Sequence, residues 1–276
     1  MRLVIRLALA ALAAAPASLA AQAFDSVVFH GLRWRNVIPT RGGRATVAVG
    51  VPGNQMVYYM GAAGGGLWKS ENAGGRWRNV SDGYFKSGSI GDIAVFDGNP
   101  SIVYVGTGEA PVRGQMSSYG DGVYKSTDAG RTWAHIGLEK TRQISRVVVH
   151  PTDPNVVYVA AQGSRWASSD DRGIYRSVDG GATWKRVLFV SPNAGASELV
   201  MDPSNPKVLY ATFWDLLRTP WAVRSGGPGS GVWKTTDGGD TWIQLKTGLP
   251  SLMGRIGLAI APSSASRLYA IVEADS

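Results

Sequence analysis

Hydrophobic and polar residues alternate over short distances along this chain, in the manner of β-strands. Residues 90–96 alternate apolar with small or polar side chains, which predicts a strand with one buried face. Residues 102–106 form a nearly continuous apolar run, which is typical of a strand buried on both faces. Residues 122–126 and 132–136 add two more short strands, joined by a turn at residues 128–130. This part of the chain therefore predicts four antiparallel strands within about 50 residues.

The same unit recurs along the chain, and two ladders of residues mark it. Four segments share the pattern S/T-x-D/N-x-G-x-T/R-W, namely residues 70–77, 126–133, 177–184 and 235–242. A second ladder places a tyrosine after a mostly apolar pair, at Tyr58, Tyr104, Tyr158, Tyr210 and Tyr269. Two ladders in register at a spacing of about 50 residues indicate one supersecondary unit used repeatedly.

The predicted fold class is all-β, a β-propeller of four-stranded antiparallel blades with Asp-box turns. Four full blades and a partial fifth are expected. The predicted boundaries are an N-terminal strand at 32–37, blades at about 38–80, 86–136, 143–187 and 197–245, and a partial blade at 254–276. The N-terminal strand is expected because residues 33–37 repeat residues 76–80 letter for letter. Because the last unit stops before its third strand, we expect the chain to be a fragment of a longer protein.

Each position that the four boxes share has a structural explanation. The acidic or amide residue can accept hydrogen bonds from the turn, and the glycine permits a positive φ. The tryptophan can pack between neighbouring sheets. The residues predicted to have these structural Asp-box roles are Asn72, Trp77, Asp128, Trp133, Asp179, Trp184, Asp237 and Trp242.

The first 23 residues follow the pattern of a secretory signal peptide. Arg2 and Arg6 precede an apolar stretch at residues 7–15, and residues 21–23 fit a small-x-small cleavage site. The apolar run is shorter than the roughly 20 residues that a membrane span needs. The sequence therefore predicts a secreted or periplasmic protein with no stable membrane insertion after cleavage.

Composition narrows the chemistry further. The chain contains 36 Gly and no Cys, so tight turns are plentiful, while disulfides, Cys-ligated zinc and thiol nucleophiles are excluded. Its formal charge is +8, but the basic residues are spread out, which argues against a nucleic-acid partner. No cofactor is expected. The Asp-Pro pairs at residues 153–154 and 202–203 are interpreted as turns, and calcium binding by these aspartates is the alternative.

Charged and aromatic residues cluster in the loops between second and third strands, which should emerge opposite the Asp boxes. Such loops suit a polar ligand, because Trp can stack on it and Arg can pair with its carboxylate or hydroxyl groups. The candidate catalytic carboxylates are Glu109, Asp170, Asp171 and Asp215. The candidate ligand-binding residues are Arg41, Arg44, Arg113, Arg165, Trp166, Arg172, Trp214, Arg218, Trp221 and Arg224.

The four boxes resemble those of the BNR, or Asp-box, repeat families. The segments at residues 39–44, 106–110 and 226–231 resemble secreted bacterial BNR-repeat or sortilin-like glycosyl hydrolases. This resemblance implies a parent protein with propellers of seven or more blades. A sialidase is less favoured, because residues 37–39 read Val-Ile-Pro where that family carries an Arg.

Two functions remain open at this stage. The first is a binding propeller whose partner is a carbohydrate or a peptide or protein. The second is a glycoside hydrolase, which needs two carboxylates about 5 to 5.5 Å apart for retention or about 6.5 to 9.5 Å apart for inversion. For each carboxylate, loop capping or a surface ion pair is the competing interpretation.

Overall fold

The computed structural model describes residues 44–111 and 118–274. The predicted signal peptide, the predicted strand at 32–37, Arg41 and Arg113 lie outside these residues. Within them, no helix is long and apolar enough to cross a membrane. Apart from a short 3-10 turn at Glu139–Thr141, the regular secondary structure of this part of the chain consists of β-strands.

Four sheets of the described chain each contain at least four antiparallel strands in sequence order. The first contains β1 (Ala45–Val51), β2 (Asn54–Ala62), β3 (Leu67–Ser70) and β4 (Arg78–Asn79). The second contains β5 (Ile90–Val95), β6 (Val103–Thr107), β7 (Val123–Ser126) and β8 (Ala134–His135). The third contains β9 (Ile144–Val149), β10 (Val157–Ala161), β11 (Gly173–Ser177) and β12 (Lys185–Leu188).

The fourth sheet departs from the others by one additional strand. It contains β13 (Ala194–Met201), β14 (Leu209–Arg218), β15 (Val223–Ser225), β16 (Gly231–Thr235) and β17 (Ile243–Leu245). The additional strand β15 pairs with the end of β14 and forms a hairpin. A last pair, β18 (Met253–Ile260) and β19 (Leu268–Ala274), follows. The predicted fold class, with four full blades and a partial fifth, is confirmed.

The hydrophobic core lies between neighbouring sheets. The first strand of each sheet packs against the first strand of the next. One cluster joins Tyr59 and Leu67 of the first sheet to Ile90 and Trp133 of the second, and similar clusters join the later pairs. The sheets approach closely at Gly61, where an added Cβ would strike Ile90 of the next sheet. Each blade therefore buries its apolar face against a neighbour.

The box turns form the same hydrogen bonds in successive sheets. In the second sheet, Asp128 Oδ1 accepts bonds from Ser126 Oγ at 2.8 Å and from Thr132 N at 2.9 Å, and Oδ2 accepts from Thr132 Oγ1 at 2.6 Å. Asp179 and Asp237 accept equivalent bonds. These hydroxyl and amide donors, the Thr132 hydroxyl first, lower the pKa of Asp128 to about 2.

In the first three blades, a ladder tyrosine reaches the box turn of the next blade. Tyr59 OH and Lys69 Nζ both donate to Ala129 O, at 2.8 and 3.1 Å. Tyr158 and Arg176 repeat this arrangement on Gly238 O. In the second blade Lys125 donates to Gly180 O, while Tyr104 OH donates to Pro154 O at 2.8 Å and lies 3.4 Å from Gly180 O. In the first sheet the predicted ladder residue was Tyr58, and this position was wrong by one. Tyr59 holds it, because Tyr59 lies opposite Lys69 in the strand pairing.

Candidate functional site

We call the end of the sheets opposite the boxes the mouth. It comprises residues 62–66, 108–111, 118–122, 162–172 and 219–230, together with the starts of the first strands. The chain reaches this end because each second strand runs away from the box turn and each third strand returns to it. The described candidates that follow a second strand lie at this end.

Glu109 is the buried carboxylate of the second blade. Its side chain is 1% exposed, and Arg44 NH2, from the start of the first sheet, donates to its Oε2 at 3.0 Å. The Arg44 side chain is 42% exposed, so its guanidinium also faces solvent. The mouth thus holds one acidic group below the surface with an accessible cation above it.

Arg165 does not face the solvent, although the sequence predicted it as a ligand contact. Its side chain is fully buried, and its NH1 donates to Pro111 O at 2.9 Å. Its NH2 donates to the carbonyl oxygens of Glu109 and Ala110. Burial lowers the pKa of Arg165 to about 10. Arg165 therefore holds the loop of the second blade in place around Glu109.

Arg172 is buried in the same way at the other side of the third blade. Its NH1 donates to Asn193 O at 2.9 Å, ahead of the fourth sheet, and its NH2 donates to Ser164 O and Ala167 O. Burial lowers its pKa to about 10 as well. Residues 162–172 are thus joined to the blades on both sides.

Asp170 and Asp171 take part in the turn before the third strand of the third sheet. Asp170 is exposed, and its backbone oxygen accepts a bond from Arg186. Asp171 is half-buried, and its backbone nitrogen donates to Ser169 Oγ at 3.1 Å. Its backbone oxygen accepts from Tyr175 OH at 3.1 Å. These contacts are made by backbone atoms, and the Asp171 carboxylate accepts one long bond, from Ser169 Oγ at 3.5 Å.

Asp215 is the buried carboxylate of the fourth blade. It is 3% exposed, and Arg224 NH2 donates to its Oδ1 at 2.9 Å across the additional hairpin. Its backbone nitrogen donates to Ser230 Oγ, and its backbone oxygen accepts from Gly226 N, both at 2.9 Å. The glycine-rich segment 226–231 therefore surrounds Asp215.

The three candidate tryptophans have different environments. Trp214 is buried and donates from Nε1 to Ser225 Oγ at 2.9 Å, with Arg255 placed over its ring. Trp166 is 38% exposed, and Trp221, at the tip of the β14–β15 hairpin, is 84% exposed. Arg218 N donates to Arg165 O at 2.8 Å, so the hairpin contacts, next to its tip, the loop that carries Trp166.

The structure also places together three charged residues that the sequence analysis did not select. Asp92, Arg146 and Glu198 occupy equivalent positions on the first strands β5, β9 and β13. Arg146 NH1 lies 3.6 Å from Asp92 Oδ1, and its Nε and NH2 donate to the two oxygens of Glu198. Burial is the main cause that raises the pKa of Asp92 to about 6. The sequence signal that could have revealed this cluster is a charged residue within a mostly apolar strand, at the same place in three repeats.

The described residues contain no group of three or more His, Cys, Asp or Glu side chains that could hold a metal ion. At the two turns considered for calcium, each aspartate carboxylate accepts a hydrogen bond from the backbone amide two residues later. Asp153 Oδ1 accepts from Asn155 N at 2.9 Å, and Asp202 Oδ1 accepts from Ser204 N at 2.8 Å. Calcium binding stays an untested expectation.

The comparisons with known proteins agree with this fold. The family model Sortilin-Vps10, described as "Sortilin, neurotensin receptor 3", matches residues 121–257. A xyloglucanase of Hypocrea jecorina is 24% identical over 226 residues, which cover 75% of this chain and 26% of that protein. The photosystem II assembly lipoprotein Ycf48 of a Nostoc species is 29% identical over 166 residues, which cover 52% of this chain and 47% of that protein.

Among solved structures, an ancestral GH74 enzyme superimposes with a TM-score of 0.65 at 22% identity, covering 88% of this chain and 29% of that one. The resemblance to Asp-box propeller proteins is confirmed at the level of fold. The described chain matches about a quarter of the xyloglucanase's length.

Proposed function

We propose that this chain is part of an exported β-propeller that binds a carbohydrate at the mouth. Export is proposed from the pattern of residues 1–23, and N-terminal sequencing of the protein recovered from the periplasm or medium tests it. A mature chain that still begins at Met1 would contradict export. The relatives named xyloglucanases support a polysaccharide ligand over a peptide.

The observation that carries the binding proposal is the exposure of Trp221. A tryptophan that is 84% exposed, at the tip of a hairpin found in one blade of the described chain, leaves a large apolar ring in water. Exposed aromatic rings of this kind supply binding energy when they stack on the apolar face of a ligand. Trp166 on the adjoining loop offers a second ring, and Arg44 and Arg224 offer hydrogen-bond donors.

Isothermal titration calorimetry with xyloglucan oligosaccharides tests the proposal. We expect binding by the wild-type chain and a loss of about tenfold in affinity for Trp221→Ala, since removing a stacked ring costs on the order of 1.4 kcal/mol. Ile243→Ala is the matched control, because Ile243 is also an exposed apolar residue (61%) but lies on the outer strand β17. Absence of saccharide binding by the wild-type chain would overturn the proposal.

A glycoside hydrolase is the second candidate, favoured by the two buried carboxylates and by the named activity of the relatives. Glu109 and Asp215 lie on the second and fourth blades, each paired with its own arginine. Hydrolysis would need one of them as a proton donor and the other as base or nucleophile. Release of reducing ends from xyloglucan tests it. Glu109→Gln and Asp215→Asn should each abolish release while leaving the melting temperature nearly unchanged, whereas a wild-type chain that releases no sugar would contradict hydrolysis.

A further inference from the structure

A cavity lies beside Asp215, where mouth residues 227–230 meet the end of β17 and the start of β18. The cavity has a volume of about 430 Å³ and lies between the fourth sheet and the β18–β19 pair. Its lining includes Gly227, Ser230, Gln244, Lys246, Ser251 and Met253. We call it the loop cavity. Its volume lies within the range of about 300 to 1,000 Å³ that small-molecule sites occupy.

Two glycines let the segment at residues 226–231 pack closely against Asp215 and Gln244. A Cβ at Gly227 would lie 2.6 Å from Asp215 Oδ2, and a Cβ at Gly231 would lie 2.9 Å from Gln244 Nε2. Both distances are too short for a Cβ, so any other residue at position 227 or 231 would displace Asp215 or Gln244. The segment therefore lets its backbone approach the carboxylate on one side and lets Gln244 border the cavity on the other.

The lining combines two kinds of surface. Leu245, Leu249 and Met253 present apolar atoms, and Met253 is buried at the start of β18. The Ser230 and Ser251 hydroxyls, the Gln244 amide and the Lys246 ammonium supply donors and acceptors. A pyranose ring needs this combination, because its C–H faces are apolar and its rim carries hydroxyl groups.

The cavity is also connected to the mouth through Ser230. Its Oγ accepts the bond from Asp215 N at 2.9 Å, so one residue borders the cavity and supports the buried carboxylate. A saccharide that crosses the mouth past Trp221 and Arg224 would therefore pass next to the loop cavity.

We propose that the loop cavity receives one sugar ring of the saccharide that binds at the mouth. This inference rests on the proposed function and adds to it a second binding position, between the fourth and fifth blades. It assigns the glycine-rich segment a role in ligand binding in addition to its role around Asp215.

Nuclear magnetic resonance with 13C-methyl methionine and 15N-labelled tryptophan follows the cavity and the mouth separately. Met253 borders the cavity, and the Trp221 indole reports on the mouth. The Met253 methyl signal is assigned with Met253→Leu. On titration with xyloglucan oligosaccharides of increasing length, we expect Trp221 to shift with every bound oligosaccharide and Met253 to shift with the longer ones.

The two signals separate the possible failures. A Trp221 shift without a Met253 shift at any length would overturn the loop cavity and leave the proposed function standing. A Met253 shift without a Trp221 shift would contradict binding at the mouth, and with it the inference that rests on that binding. If neither signal moves at saturating concentrations, both proposals are wrong.

Variants of the cavity lining supply an independent measurement of saccharide affinity. Ser251→Trp places a large ring at an exposed position on the cavity wall, and Ser263→Trp, on the exposed turn between β18 and β19, is its matched control. We expect Ser251→Trp and Gln244→Ala to weaken binding of long oligosaccharides by about tenfold and to leave short ones unaffected. Equal affinity of both variants and wild type for long oligosaccharides, at unchanged melting temperature, would contradict the inference.

Discussion

The two ends of the blades differ in how much they repeat. At the box end, three successive aspartates accept the same bonds, and three tyrosines donate to the turn of the following blade. Among the described residues of the mouth, no loop repeats another. The second blade buries Glu109, the third buries two arginines, and the fourth adds a hairpin and a glycine-rich segment.

This difference separates stability from function within one architecture. A feature that every blade repeats serves what every blade must do, which is to close its turn and hold its neighbour. A feature found in one blade has no such task, and loops supported by a rigid scaffold are where binding residues concentrate. The comparison predicts that box-end substitutions lower stability and that exposed mouth substitutions change binding.

The largest expected effect is at Trp133. This ring is buried between the first and second sheets, and its Nε1 donates to Val80 O at 2.9 Å. Trp133→Ala should lower the free energy of unfolding by about 3–5 kcal/mol, because it leaves a cavity and removes that bond. Urea denaturation measures it, with the half-buried Trp77→Ala as the control of smaller effect. An unchanged denaturation midpoint for Trp133→Ala would contradict the stabilising role of the box end.

A smaller effect, of opposite sign, is expected at Asp92. Burial raises its pKa in the folded chain to about 6, above the usual value near 4. The charged form therefore costs stability, which declines as the pH rises from about 4 to about 6. Asp92→Asn removes this cost and should raise the free energy of unfolding at pH 8 by about 2 kcal/mol, as two pKa units correspond to roughly 2.7 kcal/mol.

Thermal melts at pH 4 and pH 8 measure the Asp92 prediction. The gain should nearly vanish at pH 4, where the folded carboxyl is protonated and the unfolded one is about half ionised. A lower melting temperature for Asp92→Asn at pH 8 would mean that the ion pair with Arg146 outweighs the burial cost.

Asp128 should respond to pH in the opposite direction. Its folded pKa is lowered to about 2, chiefly by the Thr132 hydroxyl, so its contribution is present above pH 4 and is lost as the pH falls toward 2. Asp128→Asn keeps one acceptor oxygen, as Asn72 does in the first box, and should cost at most about 1 kcal/mol at pH 7. Chemical denaturation at pH 7 and pH 2 checks it, and an equal cost at both values would contradict the assignment.

The smallest expected effect on stability is at Trp221. Because the ring is exposed, Trp221→Ala should change the free energy of unfolding by less than about 0.5 kcal/mol. The same variant is expected to lose saccharide affinity about tenfold. A large loss of stability would show that the hairpin tip supports the fold. It would contradict the prediction that exposed mouth substitutions change binding rather than stability.

Much of the box end could be predicted because its signals are local. The aspartate, its turn donors and the tryptophan lie within eight residues, so their spacing alone indicates the turn. The single error, Tyr58 for Tyr59, came from strand pairing, because only the register opposite Lys69 decides which tyrosine reaches the next blade.

The mouth could be predicted only in outline. The sequence indicates loops rich in Arg, Trp and carboxylates, but Arg165 and Arg224 look alike there. The structure buries Arg165 against three carbonyl groups and leaves Arg224 half-exposed beside Asp215. Whether an arginine faces solvent depends on which loop of another blade lies over it, and residue spacing contains no such information.

By itself, the sequence determined the repeat, the strands, the box turns and the kind of residue that each mouth loop carries, because these follow from local patterns of a few residues. Only the tertiary structure decided which charges meet. Asp92, Arg146 and Glu198 are each more than 50 residues apart, and they come together because the first strands of three blades pack side by side. Contacts between blades depend on how separate sheets pack, and that packing brings together residues that no local pattern connects.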